Sequence, residues 1–170
     1  MSAQIFPGRY TAENQEGFVV FIIGTRINKW WAVHKWWPVF IAMPPMIKEL
    51  YSHKELGCLS MENFFGLRTT LMVQYWQSEE QLLAYAKGNQ HLTAWKNFNK
   101  KVGNNDSVGI YHETYLVKPG QFESIYGNMP KFGLSKAVGF VPVTPSSNSA
   151  HKRLRKERFV KSESGGKGAD

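Results

Sequence analysis

From Gly17 to Ile27 the chain reads GFVVFIIGTRI. In an extended strand alternate side chains face opposite ways, so Phe18, Val20 and Ile22 share one face and Val19, Phe21 and Ile23 the other. A strand apolar on both faces must be covered on both. Any fold that holds this segment therefore has a sheet with a layer on each side.

The surrounding sequence supplies one of those layers. Between Asn28 and Lys54, Trp30, Val33, Trp37 and Ile41 recur at helical spacing, and Pro44 and Pro45 restart a helix carrying Met46, Ile47, Leu50 and Tyr51. This predicts one long, kinked helical crossover. Residues 57 to 65 and 67 to 76 form two β-like runs about Gly66, read as a hairpin. Ser78 with Gln81 three residues later is a capping box that opens a helix ending at Gly88. A second helix follows, with Leu92, Trp95, Phe98 and Val102 on one stripe and Gly103 as terminator. Val108 to Val117 reads as the fourth strand, closed by Lys118, Pro119 and Gly120.

The order β, helix, β, β, helices, β is the βαββαβ pattern of a ferredoxin-like α+β domain. Helices cover one face of such a sheet. The other face, apolar in its first strand, calls for a second sheet, most simply the same sheet of another copy, so a homodimer is expected. After Pro145 the chain loses its aromatics apart from Phe159 and becomes rich in Ser, Lys, Arg and Gly. The expected division is a domain over 1–145 and a disordered basic tail over 146–170.

Charge and cysteine content narrow the function classes. The net charge is +8, of which residues 151–170 carry +4, leaving the domain only mildly basic. The run HKRLRKERFVK with a single Phe159 reads as a solvated tail, so no specific nucleic-acid partner is expected. One cysteine, Cys58, allows no intramolecular disulfide and no thiolate metal cage. The N-terminus lacks a secretory pattern, and the longest apolar stretch, residues 36–47, is broken by three prolines. The expectation is a cytoplasmic protein with no membrane partner. A phosphate-cradling glycine loop, a dinucleotide fingerprint, an HExxH zinc motif and a Gly-x-Ser-x-Gly elbow are all missing from the sequence.

Among the titratable residues His112 stands out. It shares a strand face with Val108, Ile110 and Leu116, so its imidazole points into an apolar layer, where it is either a general base, a ligand, or a core histidine satisfied by one hydrogen bond. Glu113 faces the other way. His34 is the second candidate, set among Trp30, Trp31, Trp36 and Trp37; these indoles either line a cavity for a flat apolar ligand or anchor the helix. His91 and His53 read as surface or capping residues. Arg26 and Arg68 are candidates to orient a carbonyl or carboxylate, with ion pairing to Glu62 or Glu113 as the alternative. Trp37, Tyr75 and Trp76 complete the expected pocket wall, between the sheet and the crossover helix, with His112 as base.

Seven segments in order, GRYTAE, FIIGTRINKWW, HKWWPVFIAMPPMIKEL, LRTTLMVQYW, HLTAWKNFN, VGIYHETYLV and YGNMPKFGLSKA, resemble the monooxygenase-like family related to the fumagillin-pathway monooxygenase. The resemblance spans residues 8–137. It implies a dimeric α+β barrel and an oxidation by O₂ of an electron-rich polycyclic or quinone-like small molecule, with no metal, flavin or other cofactor expected. A related barrel architecture binds haem through an axial histidine, for which His112 or His34 would serve, making haem the alternative cofactor. A third possibility is a dimeric module that binds a small molecule without turnover.

Overall fold

The computed structural model describes residues 3–13, 16–102, 104 and 106–154. The chain divides into two compact units, one of residues 19–115 and one made from residues 1–18 and 116–170.

The larger unit is built on a four-stranded sheet. Its strands are β2 (Phe18–Ile27), β3 (Cys58–Phe65), β4 (Thr69–Trp76) and β5 (Val108–Val117), in the spatial order β3-β4-β2-β5. Between β2 and β3 runs helix α1 (Val33–Ser52); between β4 and β5 lie α2 (Glu79–Ala86) and α3 (Asn89–Val102). This is the ferredoxin-like order and topology that the alternation of periods predicts. β4 pairs antiparallel with both neighbours, with Ile22 opposite Val73 and Glu62 opposite Val73 on its other side.

Local signals set most of these boundaries. Ser78 caps α2, its Oγ accepting from the Gln81 amide at 3.3 Å, as the capping box requires. Gly57 ends the turn Lys54–Leu56 with φ of 90°, in the left-handed region that favours glycine. The long helical crossover is present as α1, but it is shorter at its start than the helical spacing over 28–54 suggests. The helix begins at Val33 rather than at Asn28, and it continues through Pro38, Pro44 and Pro45 as a single element. Each proline removes one N–H donor from the helix interior, so packing of the apolar flank rather than backbone bonding must sustain the segment.

The core lies between the sheet and the helices. Val19, Leu50, Cys58, Met61, Met72, Trp76 and Leu82 form one buried cluster, with Phe21, Ile23, Met43, Ile47, Leu56 and Tyr85 packed against it. Trp76 has no solvent exposure and donates its indole N–H to Gln74 Oε1 at 2.9 Å. Cys58 is nearly as enclosed, and burial pushes its thiol up to about 11, against a weaker opposing pull from Lys54. The unfolded thiol ionises near its ordinary value of 9.0. Between those values the unfolded chain binds fewer protons than the folded one, so folding stability is expected to fall as pH rises from about 9 to about 11. Denaturant titrations of the wild type and Cys58→Ala across this range check it: Tyr85 titrates in both proteins, so the steeper fall in the wild type isolates the thiol.

The smaller unit contains a three-stranded antiparallel sheet that the sequence reading did not anticipate. β1 (Phe6–Glu13) lies between β6 (Tyr126–Met129) and β7 (Gly139–Pro142), with the short helix α4 (Leu134–Ala137) between the latter two. Its aromatic side chains pack on one another, Tyr10 stacking on Phe140 at 4.6 Å with Phe6 and Tyr126 edge-on to the same ring. Residues 146–154, assigned by composition to a disordered tail, carry defined structure. Ser147 is buried, residues 150–154 are helical, and Arg153 pairs with Glu123 at 2.7 Å while donating to the Ser147 carbonyl. The remainder of that expected tail, 155–170, lies outside the described residues.

Candidate functional site

One face of the four-stranded sheet points at the helices. Register places Phe21, Ile23 and Thr25 of β2, Met72 and Gln74 of β4, and Ile110, His112 and Thr114 of β5 on that side. Above them stand Pro38, Val39, Ala42, Met43 and Met46 of α1, Leu82 and Leu83 of α2, and Leu92, Trp95 and Phe98 of α3. They line a partly open cavity of about 610 Å³, within the size range of ligand pockets. Its wall is overwhelmingly apolar. Two of the polar groups there are already engaged: Thr25 Oγ1 bonds Thr70 Oγ1 at 2.7 Å, and Gln74 accepts from Trp76 while donating toward Met72 Sδ at 2.9 Å.

His112 lines this cavity, its ring 5.7 Å from that of Phe21. It is exposed rather than enclosed in an apolar layer, and Leu116, expected to help bury it, is 55 % exposed. The reason is that the second half of β5 has little packed over it. Among the described residues His112 makes no hydrogen bond, so none of them commits either ring nitrogen. Glu113 faces the opposite side, where it accepts a 2.6 Å hydrogen bond from Tyr115.

The other residues expected at the site lie elsewhere. Trp37 does not line the cavity and is 54 % exposed, because α1 turns a different stripe inward. Val39, Ala42, Met46 and Leu50 face the sheet, and Trp37 is two residues from Val39, about 200° around the helix. Three of the four indoles gather instead around Trp36, whose ring contacts Trp30 and Trp37 and whose Nε1 donates to the Trp30 carbonyl at 3.1 Å, while Trp31 is exposed. His34 is exposed and off the cavity. Tyr75 alternates to the far face of β4, since Gln74 faces the cavity. Trp76 lies on the correct face but beneath the cavity, in the core. Arg26 is exposed on the far face of β2, and Arg68 is exposed in the turn before β4, where its carbonyl accepts from the Ile27 amide.

Sequence reasoning missed His91 and Tyr85, both on the cavity wall. His91, read as a surface residue, is half-buried against the Tyr85 ring at 5.9 Å, and its Nδ1 donates to the Ala86 carbonyl at 3.0 Å. A carbonyl only accepts, so Nδ1 carries the proton and Nε2 is left as the acceptor in the neutral ring. No local signal in the sequence marks this arrangement.

A ferredoxin-like sheet with helices over one face and a ligand-sized apolar cavity between the two layers places the chain in the α+β class. Within it, the family described as monooxygenase af470-like matches residues 18–134, and the chain belongs to that family. Monooxygenase af470 of Aspergillus fumigatus is 33% identical over 94 residues, covering 52% of this chain and 33% of the relative. The chain thus spans about a third of the length of the curated relative it matches. Among solved structures, an aldoxime dehydratase in complex with butyraldoxime superposes with a TM-score of 0.65 at 13% identity, covering 81% of this chain and 44% of that one. A second aldoxime dehydratase gives 0.64 at 16% identity, covering 80% and 44%. At such identities the likeness is one of fold. Among the described residues no helix is long and apolar enough to cross a membrane, and no cluster of three or more His, Cys, Asp or Glu side chains could hold a metal ion.

Proposed function

We propose that the protein is a monooxygenase-like oxidoreductase that oxidises an apolar aromatic or polycyclic small molecule with O₂ and without a cofactor, using His112 as general base. The observation that carries this reading is the apolar cavity of about 610 Å³ with an uncommitted imidazole on its wall; membership of the af470-like family supports it. For an anthrone-like substrate, His112 takes a proton from the activated CH₂ and leaves a delocalised carbanion. O₂ adds to that carbon, the imidazolium returns its proton to the resulting peroxide, and loss of water leaves a carbonyl. The sum is CH₂ + O₂ → C=O + H₂O, with all four electrons drawn from the substrate. The apolar wall serves by excluding water from the carbanion.

The test is oxygen uptake by the purified full chain over a panel of anthrones and electron-rich phenols, together with its visible spectrum. Uptake by a colourless protein supports the reading. An intense band at the blue edge of the visible would instead indicate haem, for which His112 and His91 are the imidazoles on the cavity wall. Binding of the panel without uptake would leave a non-catalytic ligand-binding module.

The sheet face away from the helices bears Val20, Ile22, Val73 and Tyr75, half-buried, and Phe64, Tyr111 and Tyr115, exposed. That apolar surface supports a homodimer through the sheet. Light scattering at micromolar concentration is expected to report twice the chain's 19.5 kDa; a strictly monomeric mass would remove the dimer from the reading.

A further inference from the structure

A second void of about 340 Å³ lies on the other side of Tyr85, between the C-terminal end of α1 and the helices α2 and α3. Its wall, which Leu56 and Ala84 share, is more polar than the large cavity's. Glu49, Glu55, Gln81, Tyr85 and His91 line it, and among these lining residues none is a lysine or arginine. Three side-chain oxygens on this wall, Glu49 Oε2, Gln81 Oε1 and Tyr85 Oη, are buried with no hydrogen-bond partner among the described residues. Buried polar atoms are almost always paired, so three orphans around one void mark a place where something else completes the bonding.

The unmet groups say what that something is. A carboxylate oxygen and an amide oxygen accept and cannot donate, and His91, with its Nδ1 proton spent on the Ala86 carbonyl, offers only the Nε2 lone pair while neutral. Of the three oxygens only that of Tyr85 carries a proton, and the other donor on these side chains is the Gln81 Nε2 amide. Burial first, then the negative charge of Glu49 and a hydrogen-bonding interaction with its carboxylate, push the Tyr85 phenol up, so it stays protonated with its O–H turned toward Glu49, in a geometry short of a well-formed bond. Glu55 adds a second negative charge, shared with His53 Nδ1 at 2.7 Å. The site is short of donors and of positive charge.

We infer that this void binds a protonated amine, held by the Glu49 carboxylate, Gln81 Oε1 and the Tyr85 oxygen. Tyr85 and His91 also border the apolar cavity, so the amine belongs either to an arm of the molecule in that cavity or to a separate small amine. The first source rests on the function proposed above; the second does not. An ammonium gives charge-assisted bonds to the Glu49 carboxylate and Gln81 Oε1 and meets a lone pair of the Tyr85 oxygen, whose own proton is turned to Glu49, whereas a carboxylate would meet two like charges.

The experiment is a fluorescence titration of the full chain with anthracene, anthracene bearing a short aminoalkyl arm and anthracene bearing a carboxyalkyl arm, each with and without competing butylammonium. The aminoalkyl ring is expected to bind at least about tenfold tighter than the carboxyalkyl ring, the worth of one charge-assisted hydrogen bond. Glu49→Gln, which keeps the shape, should bring the two within about twofold and leave plain anthracene unchanged. Gln81→Glu, at a position where a capping box welcomes glutamate, should widen the preference, so the test does not depend on one variant folding. Competition by butylammonium against the aminoalkyl ring alone assigns a separate amine; no competition assigns the arm, and either outcome supports the site. Equal affinity of the two armed rings, or a preference untouched by both substitutions, overturns it. Wild-type protein that takes butylammonium but no anthracene would keep the amine site and overturn the apolar substrate.

Discussion

Trp76→Ala is expected to be the most damaging single substitution in the larger unit, costing about 3–5 kcal/mol. Trp76 is the largest wholly enclosed side chain, and it touches the core from two directions: its ring lies 5.4 Å from that of Tyr85, and its N–H serves Gln74. Truncation opens a cavity beneath the apolar pocket and strips Gln74 Oε1 of its donor, leaving a buried acceptor unpaired. The unfolding midpoint should drop by roughly 10 °C or more. Trp76→Phe keeps most of the volume and should lose far less. Calorimetry on the two variants separates volume from hydrogen bond; a shift of only a degree or two in Trp76→Ala would mean that the site collapses around the gap.

His112→Ala is expected to reduce oxygen consumption with an anthrone-like substrate by about 10²- to 10⁴-fold, the usual contribution of a positioned base. The substrate's KM should change much less, because the cavity wall that grips it is apolar and mostly contributed by other residues. Stability should barely move, since an exposed side chain without hydrogen bonds supports little of the fold. His34→Ala is the matching control: His34 is exposed off the cavity, and its loss should leave the rate unchanged. Undiminished uptake in His112→Ala would take that imidazole out of the mechanism and turn attention to His91.

The architecture of the larger unit was legible because its signals are local and periodic. A two-sided apolar strand, a Ser78–Gln81 capping box and the glycines and prolines that bound β5 each act within a few residues of chain, and β5 was placed at Val108–Val117, where the structure has it. The smaller sheet was not legible. β6 and β7 are four residues each, too short to show alternation, and they gain their partners only by meeting β1 from more than a hundred residues away.

At the candidate site, the strand period alone put His112 on the helix-facing side and Tyr75 and Glu113 on the other, as two-residue alternation demands. What the sequence could not decide was depth and azimuth. Along α1 the apolar residues nearly encircle the helix, so no stripe announces which side meets the sheet; packing chose Val39, Ala42 and Met46 and turned Trp37 outward. Trp76 and His112 share a sheet face, yet one is wholly buried and the other exposed, because burial depends on which helices arrive overhead. The smaller void is the extreme case: Glu49, Gln81, Tyr85 and His91 come from three helices, and only their tertiary convergence buries the oxygens of three ordinary surface-type residues without a well-formed partner among the described residues. Local backbone chemistry determined the elements and their order; the desolvation and orientation that give a side chain its function arise from distant segments packing together, and that was decided in three dimensions.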